Sequence, residues 1–292
     1  MNHTKKILFI SCLILLVLLA LLIPQSNRTK RYAVFAGYNP DKTIHPYIIT
    51  YLKGLKEVTD GIVYIADSEL DPKEYKKLKG LVLHTEHTRH NEYDFGSYKR
   101  GFNWLKKQGY LNKADELIFA NDSSYAPMQS FKPMFATMAQ KKDLDFWGNT
   151  QNSRLNPHLQ SYFLVFRKKI LHSKNFAHFI NKIKHQEISS NYILKYEIPL
   201  TPYLKSLGYH WDSYIPYQEF QQFDLPDNNS YPLTLISKYN NQFLKRRTFT
   251  AQLDIRENTQ DVLRYIYKHY PLRYQEIIAE IDPHFIPKDI KE

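Results

Sequence analysis

Short apolar segments alternate with amphipathic segments between residues 32 and 120. Four apolar runs have the length and the β-branched or aromatic content of buried strands, namely 32–38, 61–67, 81–85 and 116–120. The stretches between them, as at 45–58 and 95–107, place apolar residues at helical spacing. This alternation is typical of an α/β protein, and we predict an α/β fold with a mainly parallel central sheet.

Polar residues follow the apolar runs, where each predicted strand ends. In open parallel sheets, ligands bind outside the carboxyl ends of the strands. We therefore expect the ligand site near these residues, which are Tyr38, Asn39, Asp67, His84, Glu86, Asn121 and Asp122.

Asn121, Asp122 and Ser123 form the first cluster that can carry chemistry. A carboxylate held at a strand end can coordinate a divalent cation that neutralises a diphosphate. The alternative is a simple strand-terminating turn, because Asn, Asp and Ser all favour turns. In a second cluster, Asp94 stands where a helix is predicted to begin, so it either caps that helix or contacts a nucleotide or sugar.

Two later segments add further candidates. His158 and Gln160 can touch a substrate, although a buried histidine with ordinary hydrogen bonds fits the segment equally well. Glu197 precedes a predicted helix and is a candidate general base, while a solvated or capping role is the alternative. The aromatic rings of Trp147, Tyr125 and Tyr162 either stack on a ligand or pack in the core.

Residues 7–23 form a run of 17 residues without charge, which is long enough to cross a bilayer of roughly 30 Å. A cleaved signal peptide would have a shorter apolar core and a small-residue cleavage site, so we predict an uncleaved membrane anchor. Basic residues flank the run on both sides and leave its orientation open.

The formal net charge is +11, of which residues 1–31 carry +5 around the apolar run. The excess therefore indicates lipid headgroups more than a nucleic acid, and we expect no nucleic-acid partner. Cys12 is the single cysteine, so an intramolecular disulfide and a cysteine-based zinc site are excluded. The sequence contains no P-loop, GxGxxG, HExxH or GxSxG motif, which removes several common enzyme classes.

Five segments in order resemble the rhamnan synthesis F family of bacterial glycosyltransferases: NEYDFGSYKRGF, ELIFANDSSYAP, DLDFWGNT, HLQSYFLVFRKKIL and YEIPLTPYLKSLGY. The later segment PLTLISKYNNQFLKRRTF is similar to the closing segment of that family. The resemblance covers residues 32–250. Together with the apolar run and a helical pattern near the C-terminus, it divides the chain into a membrane anchor with basic flanks at 1–31, a glycosyltransferase-like domain at 32–250 and a helical extension at 251–292.

The resemblance implies a GT-A-like, nucleotide-sugar-binding fold, which would follow the single N-terminal transmembrane helix predicted from the apolar run. It implies donor-binding roles for Tyr38, Asn91, Asp94, Gly96, Lys99, Asn121, Asp122 and Ser123. Asp122 would hold Mg²⁺ or Mn²⁺. The first acid of the family's DxD pattern is Asn121 here, which puts metal dependence in doubt and gives Lys99 or Arg100 a possible share of the charge.

By the same resemblance, Glu197 would deprotonate the acceptor hydroxyl in an inverting transfer, with Asp145 and Asp94 as alternative bases. The acceptor or sugar would contact Trp147, His158, Gln160 and Tyr162. The expected enzyme moves rhamnose or another deoxyhexose from a nucleotide-sugar to a glycan or lipid-linked glycan of a cell-surface polysaccharide or lipopolysaccharide.

Two alternatives stay open: transfer of a different sugar or phosphosugar, and a membrane-anchored carbohydrate-binding or assembly protein without activity. Nucleotide-sugars are cytoplasmic in bacteria. We therefore expect a single-pass protein of the inner membrane with its catalytic domain in the cytoplasm.

Overall fold

A seven-stranded sheet lies at the centre of the computed structural model, which describes residues 28–153, 155–216, 230–250 and 255–290. Its strands are β1 (Arg31–Gly37), β2 (Gly61–Ala66), β3 (His84–His87), β4 (Glu116–Asn121), β5 (Phe146–Gly148), β6 (Phe163–Arg167) and β7 (Trp211–Ser213). They are arranged in the order β7-β5-β6-β4-β1-β2-β3. Only β6 runs antiparallel to its neighbours in this sheet, so the predicted α/β fold with a mainly parallel sheet is confirmed.

The longer helices cover both faces of the sheet. They are α1 (Pro46–Lys56), α2 (Tyr93–Lys107), α3 (Lys132–Gln140), α4 (Lys174–Asn181), α5 (Ile198–Ser206), α6 (Pro232–Tyr239), α7 (Thr259–His269) and α8 (Pro271–Ile278). Helices α1, α3, α7 and α8 contribute to one apolar layer, and α2, α4 and α5 contribute to the other. Because α7 and α8 share the first layer with α1, these two helices pack into the same core as the sheet.

The central strands are buried on both faces, which explains why they read as uninterrupted apolar runs. All six residues of β2 and of β4 are buried, and so are six of the seven residues of β1. Strand β1 pairs in parallel with both neighbours, with Val34 opposite Val63 on one side and Phe119 on the other. Strands covered on both sides by helices have this composition.

The third strand begins later than the apolar pattern predicts. It covers His84–His87, whereas the apolar run is 81–85. Gly80, with φ of 77°, ends a 3₁₀ turn, and Leu81 and Val82 then pack under the sheet against the core. A short hydrophobic run does not distinguish apolar residues within a strand from apolar residues that cover a sheet edge.

The predicted membrane anchor at 7–23 lies outside the described residues. Within the described parts of the chain, no helix combines the length and the apolar character that crossing a membrane requires.

Helix α2 approaches β1 very closely at Gly101. A Cβ atom at this position would lie 2.3 Å from Cγ1 of Val34, which is far inside van der Waals contact. Because glycine has no side chain, the helix can lie directly on the sheet. This close approach sets the position of the first turn of α2 relative to the strand ends.

We predict that Gly101→Val lowers the free energy of unfolding by about 1–3 kcal/mol, because overpacking pushes α2 away from β1. Denaturant unfolding of the detergent-solubilised protein measures the change. Lys107→Ala alters an exposed residue of the same helix and should change stability by less than about 0.5 kcal/mol. Equal stability of Gly101→Val and the wild type would contradict the close packing.

Candidate active site at the carboxyl edge of the sheet

Three parallel strands end side by side and bring their following residues together. Ala36 of β1 lies opposite Ile65 of β2 and Asn121 of β4. The backbone N–H of Tyr38 donates to Oδ2 of Asp122 at 2.7 Å, and the backbone N–H of Asp122 donates to the carbonyl of Ala36 at 3.2 Å. Asp122 is therefore held in the gap between two strand ends, as expected for a ligand-binding carboxylate of a parallel sheet.

The first turn of α2 places Asp94 beside the end of β4. The side-chain amide of Asn121 donates to Oδ2 of Asp94 at 2.6 Å. Oδ1 of Asn121 accepts hydrogen bonds from the backbone N–H and the hydroxyl of Ser123, at 3.1 and 2.6 Å. An acid at position 121 would repel Asp94, whereas the amide donates to it and fixes its orientation.

The two carboxylates titrate unusually. Loss of solvent and the nearby charge of Asp122 raise the pKa of Asp94 to about 7. Burial also raises the pKa of Asp122, although the N–H of Tyr38 and the positive charges of Arg246 and Lys245 oppose this change. Carboxylates with raised pKa values in a partly enclosed site are candidates for proton transfer or cation binding.

Two cations reach this edge from much later in the chain. Leu244–Lys245 pairs with Ser124–Tyr125 in a two-stranded antiparallel ribbon. Nζ of Lys245 donates to the hydroxyl of Ser123 at 2.8 Å and lies 3.9 Å from the ring centroid of Tyr162. The guanidinium of Arg246 lies 4.8 Å from the ring centroid of Tyr47. These side chains supply positive charge next to Asp122.

Glu197 lies at the end of a π-helical turn, immediately before α5. Its Oε2 accepts hydrogen bonds from the backbone N–H of Ser161, at 2.9 Å, and from the Ser161 hydroxyl. The carbonyl of Ser161 in turn accepts a hydrogen bond from the hydroxyl of Tyr98 on α2 at 2.9 Å. The charge of Glu197 contributes to the raised pKa of Asp94, after burial and the charge of Asp122.

Asp67, at the end of β2, shapes the loop before α2. Its carboxylate accepts hydrogen bonds from the backbone N–H groups of His90, Asn91 and Tyr93. Asn91 and Tyr93 have left-handed backbones with φ of 56° and 52°, so the loop wraps tightly around the carboxylate. This loop conformation sets the residue at which α2 begins and therefore the position of Asp94 in its first turn.

Tyr38 stands at the mouth of the site. Its side chain is 47% exposed, and the guanidinium of Arg89 lies 5.0 Å from its ring centroid. An exposed ring beside a cation can stack on a nucleobase.

Several predicted site residues lie elsewhere. Asp145 is at the beginning of β5, at the opposite edge of the sheet, where it accepts a hydrogen bond from the backbone of His210 and lies 3.3 Å from Lys169. Trp147 is 1% exposed and packs against Phe135 in the core. The structure therefore corrects the expectation that these two side chains face the substrate.

Lys99 and Gly96 stabilise the packing of helix α2 and do not contact the site. Nζ of Lys99 lies 2.8 Å from Glu92 and donates to the carbonyl of Ile183, and Arg100 also pairs with Glu92. A Cβ at Gly96 would collide with Glu92, so this glycine allows close packing. The positive charge expected from Lys99 or Arg100 is provided by Lys245 and Arg246 instead.

The remaining predicted residues line or support the site. Tyr162 is buried, and its hydroxyl forms hydrogen bonds with Asn149 and Thr150. The ammonium group of Lys245 lies over its ring in a cation–π contact. His158 is buried with Nε2 3.9 Å from Glu197, and the side chain of Gln160 bonds to Thr150. The carbonyl of Asn91 accepts hydrogen bonds from Tyr192 and His185, which leaves its exposed side chain at the loop surface.

Sequence reasoning missed Lys245, Arg246 and Arg89 as site residues. Lys245 and Arg246 lie in the closing segment that resembles the family, where three consecutive basic residues follow an apolar run. These consecutive basic residues were the sequence signal that could have identified Lys245 and Arg246 as site residues.

Asp122 and Asp94 fit a divalent cation in part. In the described parts of the chain, no group of three or more His, Cys, Asp or Glu side chains is arranged around a common point. Mg²⁺, however, commonly uses one or two carboxylates together with substrate phosphates and water. The two carboxylates satisfy that smaller requirement, with the diphosphate of a ligand as the remaining donor.

The fold and this edge define an α/β protein with a carboxylate and cation site at the carboxyl ends of its parallel strands. The model of the family described as rhamnan synthesis protein F matches residues 62–282, about three quarters of the chain. The chain belongs to this family.

Two curated proteins are similar over part of the chain. Virulence protein VirA of Vibrio anguillarum is 26% identical over 137 residues, which cover 47% of this chain and 43% of that protein. The uncharacterized protein y4gN of Sinorhizobium fredii is 26% identical over 152 residues, covering 51% and 39% of the two chains. The chain thus matches less than half the length of these relatives.

Similar solved structures include a cytidylyltransferase from Leptospira borgpetersenii, with 13% identity and a TM-score of 0.44 over 90% of this chain and 99% of that one. Core-mannan synthase A from Aspergillus fumigatus, in a Mn/GDP form, has 9% identity and a TM-score of 0.35 over 54% and 64% of the two chains. These scores are too low to carry an argument about function.

The raised pKa of Asp94 predicts a pH-dependent stability. Between about pH 4 and pH 7 the unfolded chain loses the Asp94 proton before the folded protein does, so this residue destabilises the fold increasingly as pH rises. Asp94→Asn removes this titration. The variant should match the wild type below pH 4 and exceed its melting temperature at pH 8.

Thermal unfolding at both pH values measures the effect. Asp143→Asn removes an exposed carboxylate at the opposite edge of the sheet and should leave the difference between the two pH values as in the wild type. A melting-temperature difference of Asp94→Asn that is independent of pH would contradict the raised pKa.

Proposed function

We propose that the protein is a glycosyltransferase that moves a sugar from a nucleotide-sugar donor to a growing cell-surface polysaccharide or lipopolysaccharide. The observation that carries this proposal is the meeting of Asp122 and Asp94 with Lys245 and Arg246 at the carboxyl edge of a parallel sheet. A site with two carboxylates and two fixed cations suits a diphosphate with a bound divalent cation. Membership of the rhamnan synthesis protein F family supports the proposed role in polysaccharide synthesis. We propose rhamnose or another deoxyhexose as the sugar.

The donor diphosphate would lie over the ends of β1 and β4. Lys245 and Arg246 would neutralise the departing nucleoside diphosphate, which is the electrostatic stabilisation that this reaction requires. Asp122, assisted by Asp94, would hold Mg²⁺ or Mn²⁺, which when bound supplies further positive charge to the diphosphate. The exposed ring of Tyr38 would stack on the base.

The acceptor hydroxyl would approach from the side of Glu197. In a single displacement with inversion, Glu197 takes the proton of the acceptor hydroxyl while the hydroxyl oxygen attacks the anomeric carbon, and the bond to the diphosphate breaks. The two hydrogen bonds from Ser161 orient this carboxylate. Asp94 is the alternative base, because a pKa of about 7 suits proton transfer at neutral pH.

A non-catalytic carbohydrate-binding or assembly protein is the second candidate. Asn121 favours it, because one acid fewer weakens a cation site. We further propose the cytoplasmic membrane as the location, with residues 7–23 as the anchor and the domain in the cytoplasm, where nucleotide-sugars are made.

Replacing the cations should weaken donor binding. We expect Lys245→Ala to weaken binding of a nucleoside diphosphate by about tenfold or more, as estimated for loss of one charge-assisted hydrogen bond. Isothermal titration of the solubilised protein with UDP, GDP and dTDP, with and without Mn²⁺, measures this. Lys142→Ala removes an exposed lysine at the opposite edge and should bind as the wild type does. Equal binding by both variants would reject the donor site.

Replacing the base should separate binding from transfer. Glu197→Gln keeps the shape of the side chain but cannot accept a proton, so transfer should fall by about 10²-fold or more while diphosphate binding persists. Release of nucleoside diphosphate from a panel of nucleotide-sugars, with the polysaccharide acceptor present, measures transfer. Full transfer by Glu197→Gln together with loss of transfer by Asp94→Asn would assign the base to Asp94. No release by the wild type with any donor would favour the non-catalytic alternative.

A further inference from the structure

The edge of the sheet opposite the candidate site carries twice as many basic as acidic residues. We call this surface the amino edge, because β1, β2 and β4 begin there and the antiparallel β6 ends there. Its basic residues are Arg28, Lys30, Arg31, Lys53, Lys56, Lys106, Lys107, Lys113, Lys132, Lys141, Lys142, Arg167, Lys168 and Lys169. Its acidic residues are Glu57, Asp60, Asp115, Glu116, Asp143, Asp145 and Asp212. The amino edge is therefore strongly positive.

Helix dipoles explain only part of this charge. Lys53 and Lys56 end α1, and Lys106 and Lys107 end α2, where cations stabilise the helix C-terminus. Lys132, in contrast, begins α3, where the helix dipole disfavours a positive charge. Lys113 and Lys142 are exposed and have no acidic partner among the described residues. Lys132 lies 3.8 Å from Glu57, so the surplus cations Lys113 and Lys142 are the ones that indicate an anionic partner outside the chain.

A shallow cavity of about 240 Å³ opens in the same surface. Arg28, Arg31, Lys132 and the acidic Glu57 line it together with the apolar Phe135 and Val58. The guanidinium of Arg31 lies 4.7 Å from the ring centroid of Phe135, and Arg28 is 3.8 Å from Asp60. Three cations against one carboxylate leave the cavity with a net positive charge above apolar side chains, which suits the phosphate and first methylene groups of a lipid headgroup.

Chain length places the amino edge near a membrane. The apolar run ends at Ile23, and only residues 24–27 separate it from Arg28 at the amino edge. Fully extended, this connection spans at most about 18 Å. If residues 7–23 occupy the bilayer, no other surface of the domain starts as close to the headgroups as this one does.

We propose that the amino edge rests on anionic lipid headgroups of the membrane that holds residues 7–23, with the candidate site facing away from that membrane. Charge complementarity and the short connection carry the proposal together. Attraction between basic residues and an anionic leaflet acts within a Debye length of about 8 Å, and a connection of at most about 18 Å allows the amino edge to approach to that distance.

The orientation has a consequence for the acceptor, which rests on the proposed function. Strand β1 has seven residues and separates the two edges by about 20 Å. A lipid-linked acceptor must therefore extend several sugar units from the membrane before its end reaches Glu197. The domain would elongate an existing glycan and would not add the first sugar to the lipid.

Fluorescence quenching in vesicles tests the orientation. The full chain with Cys12→Ser receives one new cysteine for a fluorophore, either Lys142→Cys at the amino edge or Lys73→Cys, which follows the loop at the carboxyl end of β2. Both positions are exposed lysines, so they form a matched pair. The proteins are reconstituted into phosphatidylcholine vesicles with and without phosphatidylglycerol, each containing a lipid with a spin-labelled headgroup.

We expect the label at 142 to lose most of its fluorescence in vesicles with phosphatidylglycerol, and the label at 73 to stay near its value in unquenched vesicles. A second chain that adds Lys113→Glu and Lys132→Glu should recover much of the fluorescence at 142. Equal quenching at both positions, or stronger quenching at 73, overturns the orientation. Protein that separates from the vesicles on flotation overturns the anchor and the orientation together. The readout does not depend on transfer, so a failed activity assay leaves this result intact.

Discussion

The parallel pairing of β1 with both β2 and β4 is the constraint on which the rest of the molecule depends. The strand is buried on both faces and bonded on both sides, so its register decides which residues of its neighbours end together. That register brings the backbone of Tyr38 onto the carboxylate of Asp122 and leaves Asp67 to organise the loop before α2. The approach of α2 at Gly101 then carries Asp94 to the same place.

The site built on this frame solves a problem of like charges. Asp94 and Asp122 each raise the free energy of the other when ionised, and low solvent access increases that cost. The amide of Asn121 and the cations Lys245 and Arg246 reduce the repulsion from two directions. In this way the fold keeps two poorly solvated carboxylates close together at the carboxyl edge of the sheet.

Much of the frame could be predicted from the sequence, because the central strands are buried on both faces and therefore appear as plain apolar runs. The edge strand β3 begins three residues late because Leu81 and Val82 are apolar for a different reason, as cover for the core. Asp122 and Asp94 follow from strand ends and helix starts. The expectation of a catalytic role for Asp145 is wrong because this residue precedes its strand and so lies at the other edge of the sheet. The contact of Lys245 with Ser123 depends on tertiary packing, which no local sequence pattern records.

The ribbon that delivers Lys245 also imposes an order in time on the newly made chain. Lys245 lies 122 residues after Ser123, its hydrogen-bond partner. At synthesis rates of about 5–20 residues per second, roughly 6–24 s pass between the emergence of the two residues from the ribosome. During that interval the central strands and Asp122 are already available while the cations are not. A nascent chain therefore has the carboxylates of the site before it has the cations that balance them, and their mutual repulsion is relieved only when the closing segment has been made.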